Sequence, residues 1–117
     1  MDQRKTVLLA DVSEEFRTLL REEIEKTGEF TVETARDGNE VLRKAEETDY
    51  DLLVMDVMLA GMDGISVLRQ LQKQESMPMT ILMSGFVSDR MLMEATELGA
   101  AYFLPKPFAT ETLLDKM

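Results

Sequence analysis

The feature that most limits the fold of this chain is a repeated pairing: an apolar run of strand-forming residues that ends abruptly in a polar one. Leu52-Leu53-Val54-Met55 ends in Asp56, Thr6-Val7-Leu8-Leu9-Ala10 ends in Asp11, and Met79-Thr80-Ile81-Leu82-Met83 ends in Ser84-Gly85. Runs without polar alternation suit strands buried on both faces, as in parallel sheets covered by helices. Open α/β sheets bind their ligands in the crevice beyond the carboxyl ends of the strands, so Asp11, Asp56 and Ser84 are candidate site residues. A lone Asp after a strand can equally be a loop cap, and the other segments must decide.

Between these runs the pattern turns helical. Ser13 is a plausible N-cap with Glu14 and Glu15 in the first turn, and Phe16, Leu19, Leu20 and Ile24 repeat at helical spacing toward Lys26, with Gly28 as a stop. Phe30–Ala35 alternates and reads as a more polar strand near an edge. Asp37-Gly38 marks a turn, and Val41, Leu42 and Ala45 line a second helix ending near Thr48. After the loop from Val57 to Gly64, a third helix carries Ile65, Val67, Leu68 and Leu71, and Pro78 stops anything helical before the next strand.

Ser88 and Asp89 can cap a fourth helix with Met91, Leu92, Ala95 and Leu98, ended by Gly99. A short strand from Ala101 to Leu104 leads into Pro105-Lys106-Pro107. Pro105 cannot donate to a ladder, so it belongs at a sheet edge or just past the strand. Thr110 to Met117 opens a fifth helix that breaks off early, as expected of a domain cut from a longer protein. Five strand-helix units in strict alternation predict an α/β fold: a doubly wound, five-stranded parallel sheet with right-handed crossovers. Order 2-1-3-4-5 places the mixed strand and the Pro-bounded strand at the edges.

Composition narrows the chemistry. The 117 residues, 44% hydrophobic and 31% charged, make one folded domain over 1–117. No apolar run reaches the roughly 20 residues that span a bilayer, and the charged start Met1 to Lys5 shows no secretory signal, so a cytoplasmic location is expected. With neither Cys nor His, the chain can have no disulfide, no Cys/His zinc site and no His-assisted nucleophile. A net charge of -10 argues against this segment gripping nucleic acid directly and suits protein partners or cations. Ten Met residues are in keeping with an adaptable partner surface.

Collected on one rim, the strand ends supply Asp11, Asp56 and Ser84, with Lys106 just past the fifth strand. Asp56 can act there as a nucleophile toward phosphorus, with carboxylate-held Mg²⁺ neutralising phosphoryl oxygens. Lys106 supplies a fixed positive charge and Ser84 a hydrogen-bond donor. Singly, Ser84 would be a turn residue, Lys106 a solvated charge and Phe103 core. Their joint position is what carries meaning.

Five stretches together resemble the response-regulator receiver domain of the CheY-like, flavodoxin-like kind: Leu8-Leu9-Ala10-Asp11, Val54-Met55-Asp56-Val57-Met58 with Gly61-Met62-Asp63-Gly64, Ile81-Leu82-Met83-Ser84-Gly85, Leu98-Gly99-Ala100-Ala101-Tyr102-Phe103, and Lys106-Pro107-Phe108. The stretch from Leu98 to Phe108 most resembles receivers of sporulation master regulators. The resemblance implies a two-component phosphoprotein in which Asp56 accepts phosphate from a phosphohistidine on a sensor kinase or phosphotransfer protein. Ser84 would bind the phosphoryl group, Lys106 would pair with Asp56, and Phe103 would be the aromatic switch. Mg²⁺ would be held by Asp11, Asp56 and the backbone carbonyl of Met58. Receivers dimerise or engage partners through the fourth helix, last strand and fifth helix. The family carries out autophosphorylation and autodephosphorylation at most, often upstream of transcription regulation, and its Lys-Pro peptide, Lys106-Pro107 here, is cis.

The sequence departs from that pattern at Val12, where the family has a second acid that contacts Mg²⁺ directly. Losing one anionic ligand should weaken the metal, with Glu14 or Glu15 as substitutes that more simply serve the helix N-terminus. Ala60 replaces a frequent Pro, Gly85 a frequent Ala, and Phe103 lacks a hydroxyl, so its gating would be steric. Tyr102 should face the opposite side of its strand. Two other readings follow: a pseudo-receiver that signals by binding alone, and an aspartyl-phosphate phosphatase of the haloacid-dehalogenase type. The phosphatase needs a second Asp two residues after the nucleophile, where Met58 stands.

Overall fold

Continuous apolar strands must be covered on both sides, and the arrangement of the helices does this. The computed structural model describes residues 3–74 and 77–117; Met1 and Asp2, where the charged start begins, lie outside the described residues. Strands β1 (Lys5–Ala10), β2 (Phe30–Ala35), β3 (Leu52–Asp56), β4 (Met79–Ser84) and β5 (Tyr102–Pro105) alternate with helices α1 (Glu14–Glu25), α2 (Gly38–Glu47), α3 (Gly64–Gln72), α4 (Asp89–Glu97) and α5 (Thr110–Lys116). All pairings are parallel, in the order β2-β1-β3-β4-β5.

Alternate residues of each central strand enter different cores. Leu8, Leu53, Met55 and Leu82 pack with Val41 of α2, Val67, Leu68 and Leu71 of α3 and Ala95 of α4. Val7, Leu9, Leu52, Val54, Ile81 and Met83 pack on the other face with Leu20 and Ile24 of α1 and Leu113 of α5. Each such side chain, fully buried, contributes about 1.5–3 kcal/mol relative to exposure. The register pairs Ala10 with Met55 and Asp56 with Met83, so one further residue along β1 brings Asp11 beside Asp56.

Four of the five loops at the carboxyl ends of the strands run into helices capped by a side chain. Ser13 accepts from the Phe16 amide, Asp37 from Glu40, Asp63 from Ser66 and Ser88 from Met91. Asp37-Gly38 is thus a cap and first helical residue rather than a free turn. Gly28 and Gly99, with φ of 78° and 94°, end α1 and α4 as expected.

Two sequence expectations need correction. Leu19 is 56% exposed and Leu92 37%, so α1 and α4 bury narrower stripes than their apolar spacing suggests. The last strand starts at Tyr102, not Ala101, and includes Pro105, which is tolerated because β5 is an edge strand. Among the described residues no helix is long and apolar enough to cross a membrane.

Candidate functional site

Asp11, Asp56, Ser84 and Thr80 are the buried polar or charged residues of the described chain, and three of the four lie on the carboxyl rim. Buried carboxylates are costly unless paired and hydrogen-bonded. Both acids meet that condition. Lys106 donates from Nζ to Oδ2 of Asp11 and to Oδ2 of Asp56, each at 2.5 Å, which places those two oxygens no more than 5.0 Å apart. Oδ1 of Asp11 accepts from the Ser13 amide at 2.9 Å, and Oδ1 of Asp56 from the Met58 amide at 2.7 Å.

The elements explain how Lys106 reaches this point. Its amide donates to the Ser84 carbonyl at 2.7 Å, continuing the β4–β5 ladder, and it precedes a cis peptide to Pro107. Burial disfavours its ammonium, but the hydrogen bonds and charges of Asp11 and Asp56 outweigh that penalty and hold its pKa above the ordinary Lys value. The ammonium also lies over the Phe16 ring, 4.0 Å from the centroid. Arg17 adds a hydrogen bond of 2.6 Å from its guanidinium to the Asp11 carbonyl.

Ser84 is placed differently from a donor aimed at Asp56. Its hydroxyl donates to the Phe86 carbonyl at 2.6 Å and accepts from the Phe86 amide at 3.1 Å, so it is engaged with its own loop. Phe103 is half-buried and packs against the α2–α4 core, opposite Leu82 in the ladder. Ser84 lies two residues beyond Leu82, so both side chains belong to the same face of the sheet. Tyr102 is 42% exposed on the other face, where the Lys116 ammonium sits 5.1 Å from its ring centroid.

The two neighbouring carboxylates offer oxygen donors of the kind a hard divalent cation takes. Among the described residues no group of three or more His, Cys, Asp or Glu side chains is placed to hold a metal. Glu14 and Glu15 are exposed in the first turn of α1, and Val12 is 55% exposed. Sequence reasoning did not assign Phe16, Arg17 or Phe86 to the site. Phe16 is spaced as a core residue, and the Arg17 and Phe86 contacts run through backbone atoms.

The close passage of α3 beneath the site requires glycine at position 64. Its amide donates to the Val57 carbonyl at 2.8 Å, and a Cβ there would lie 2.7 Å from the Asp56 carbonyl oxygen and 2.9 Å from the Val57 Cα. Both neighbours are backbone and cannot swing aside. Gly64→Ala is expected to destabilise by about 3 kcal/mol, lowering Tm by roughly 10 °C in thermal unfolding. A variant as stable as the wild type would contradict this packing.

The model of the response regulator receiver domain matches residues 7–117. The chain belongs to that family. It is a receiver of two-component signal transduction, with transcriptional regulators among its relatives. It is 39% identical over 105 residues to the alkaline phosphatase synthesis transcriptional regulatory protein PhoP of Bacillus subtilis, covering 90% of this chain and 43% of that one. The receiver thus spans less than half the length of that curated relative. Among solved structures, the receiver domain of the Francisella response regulator 1452 superposes with a TM-score of 0.90 at 30% identity, covering 97% of this chain and 93% of that one. A response regulator from Burkholderia pseudomallei, solved with a phosphorylated aspartic acid, a calcium ion and citrate, gives 0.86 at 25% identity, covering 94% and 64%.

Proposed function

We propose that Asp56 is the phosphoacceptor, taking a phosphoryl group from a phosphohistidine of a sensor kinase or phosphotransfer protein. The observation that carries this reading is the Lys106 ammonium held 2.5 Å from both buried carboxylates, a fixed positive charge at the acid that forms the last residue of β3. An Asp56 oxygen forms the new P–O bond as the donor's P–N bond breaks. The imidazole nitrogen leaves with the bonding pair and takes a proton. Lys106 then faces the transferred oxygens as well as Asp11.

Mg²⁺, held by Asp11, Asp56 and the Met58 carbonyl, would neutralise phosphoryl charge when bound. That the Burkholderia pseudomallei response regulator was solved with a phosphorylated aspartic acid and a calcium ion supports the assignment. The chain is a phosphoacceptor rather than an enzyme with a turnover substrate. Ser84 and Phe103 are the switch pair: a phosphoryl oxygen draws the Ser84 hydroxyl from the Phe86 backbone, and Phe103, on the same face, follows. Exposed Leu92 and Met93 on α4 and Tyr102 on β5 suit a homodimer or partner contact through α4, β5 and α5. The test is incubation with acetyl phosphate and Mg²⁺, followed by intact mass. One phosphate per chain is expected; a chain that remains unmodified would refute the reading and favour a module that signals by binding alone.

A further inference from the structure

The Lys106 ammonium has three N–H donors. Two go to Asp11 and Asp56, and the Phe16 ring covers a further side of the nitrogen, 4.0 Å away. The ring is itself braced: Phe108 meets it edge-on, with centroids 6.4 Å apart and planes at 87°. Phe16 belongs to the first turn and a half of α1, where Ser13 caps its amide, so its backbone is fixed by the same loop that carries Asp11. The Lys106 side chain is nevertheless 21% exposed, beside a cleft of about 280 Å³ lined by Phe16, Lys106, Pro107 and Phe108.

We propose that Phe16 is a positioning residue for phosphoryl transfer, its ring face holding the Lys106 ammonium between the two acids before the donor arrives. This rests on the reading of Asp56 as phosphoacceptor. The benefit follows from what the reaction demands. As the P–O bond forms, Asp56 gives up its negative charge to the phosphoryl group, and Lys106 must transfer a hydrogen bond from the carboxylate to the new oxygens. A long, flexible side chain that had moved into water would have to be recovered at that moment. A ring that attracts the cation through its quadrupole keeps it in place without competing for the oxygens, because the ring offers no strong acceptor. Preorganised charge of this kind acts on the transition state rather than on donor binding.

The test compares Phe16→Leu and Phe16→Met, which keep an apolar side chain but lose the π face, with Phe16→Tyr, which keeps both. Phosphorylation of each is followed with acetyl phosphate and Mg²⁺, a donor too small to use a protein docking surface. The Lys106 side-chain protons are observed by NMR in the unphosphorylated protein. Leu and Met are expected to lower the maximal rate about 3- to 10-fold with the half-saturating donor concentration unchanged, and to abolish the upfield ring-current shift of the Lys106 methylenes near the ammonium. Tyr is expected to restore both to within about twofold.

A full rate in Phe16→Leu would overturn the proposal, whatever the NMR shows. So would equal slowing in the Leu and Tyr variants, which would make Phe16 merely structural, or slowing only with a phosphohistidine protein as donor, which would make it a docking residue. The NMR readout needs no phosphate, so an unlabelled wild type showing the shifted Lys106 protons would refute the phosphoacceptor assignment while leaving the contact intact.

Discussion

Asp56→Asn is expected to take up no phosphate from acetyl phosphate or from a phosphohistidine protein, a complete loss against one phosphate per wild-type chain. The amide has nearly the shape of the carboxyl group and can still accept the Met58 N–H through its oxygen, so the β3–α3 loop keeps its anchor. It lacks the negative charge that makes the carboxylate oxygen a nucleophile toward phosphorus. The fold should survive, since Lys106 retains Asp11 as counterion and the rest of β3 is untouched. Unchanged circular dichroism with absent label is the expected pair of results; equal labelling of variant and wild type would remove Asp56 from the mechanism.

Lys106→Met is the second large effect, and it acts on both rate and stability. Met fills similar volume but leaves two buried carboxylates without their cation. Breaking a buried pair from one side costs about 3–5 kcal/mol; with the Lys106 side chain 21% exposed, solvent screening reduces the expected loss to about 2 kcal/mol. Removing one preorganised positive donor from a transition state typically costs 10²- to 10³-fold in rate, so phosphorylation should fall about 10²-fold. The pH window follows from the sign of the shift. A Lys held above its ordinary pKa stabilises the fold fully below that ordinary value and loses the contribution only as pH rises through the raised one. Wild type and variant should therefore differ by a constant amount in urea unfolding near neutral pH, and the gap should close only in strong alkali. A gap that vanished at pH 8 would contradict the pairing.

Strands and rim were legible in the sequence for one physical reason: a strand covered on both faces must be apolar throughout, so the residue that breaks the run is the one at the rim. That logic located Asp11, Asp56 and Ser84 from single strands, and the order 2-1-3-4-5 followed from the more polar character of β2 and the Pro next to β5. It could not show what their side chains do. The Ser84 hydroxyl is committed to Phe86 by two bonds within its own loop. Leu19 and Leu92 share the apolar spacing of their helices, but the faces of α1 and α4 that reach the sheet are narrower than that spacing. Phe16 had the spacing of a core residue and packs partly as one, while its ring also meets a cation carried on a loop at the far end of the chain. Contacts across 90 residues leave no local pattern.

The central claim is that the phosphate resides on Asp56, and chemical mapping tests it most directly. Protein labelled with acetyl phosphate and Mg²⁺ is reduced with borohydride, which converts an aspartyl phosphate to homoserine, and is then digested and sequenced by mass spectrometry. Homoserine at position 56, absent from protein not exposed to the phosphodonor, is the predicted result. Homoserine at Asp11 or Asp63 with Asp56 unchanged would contradict the account.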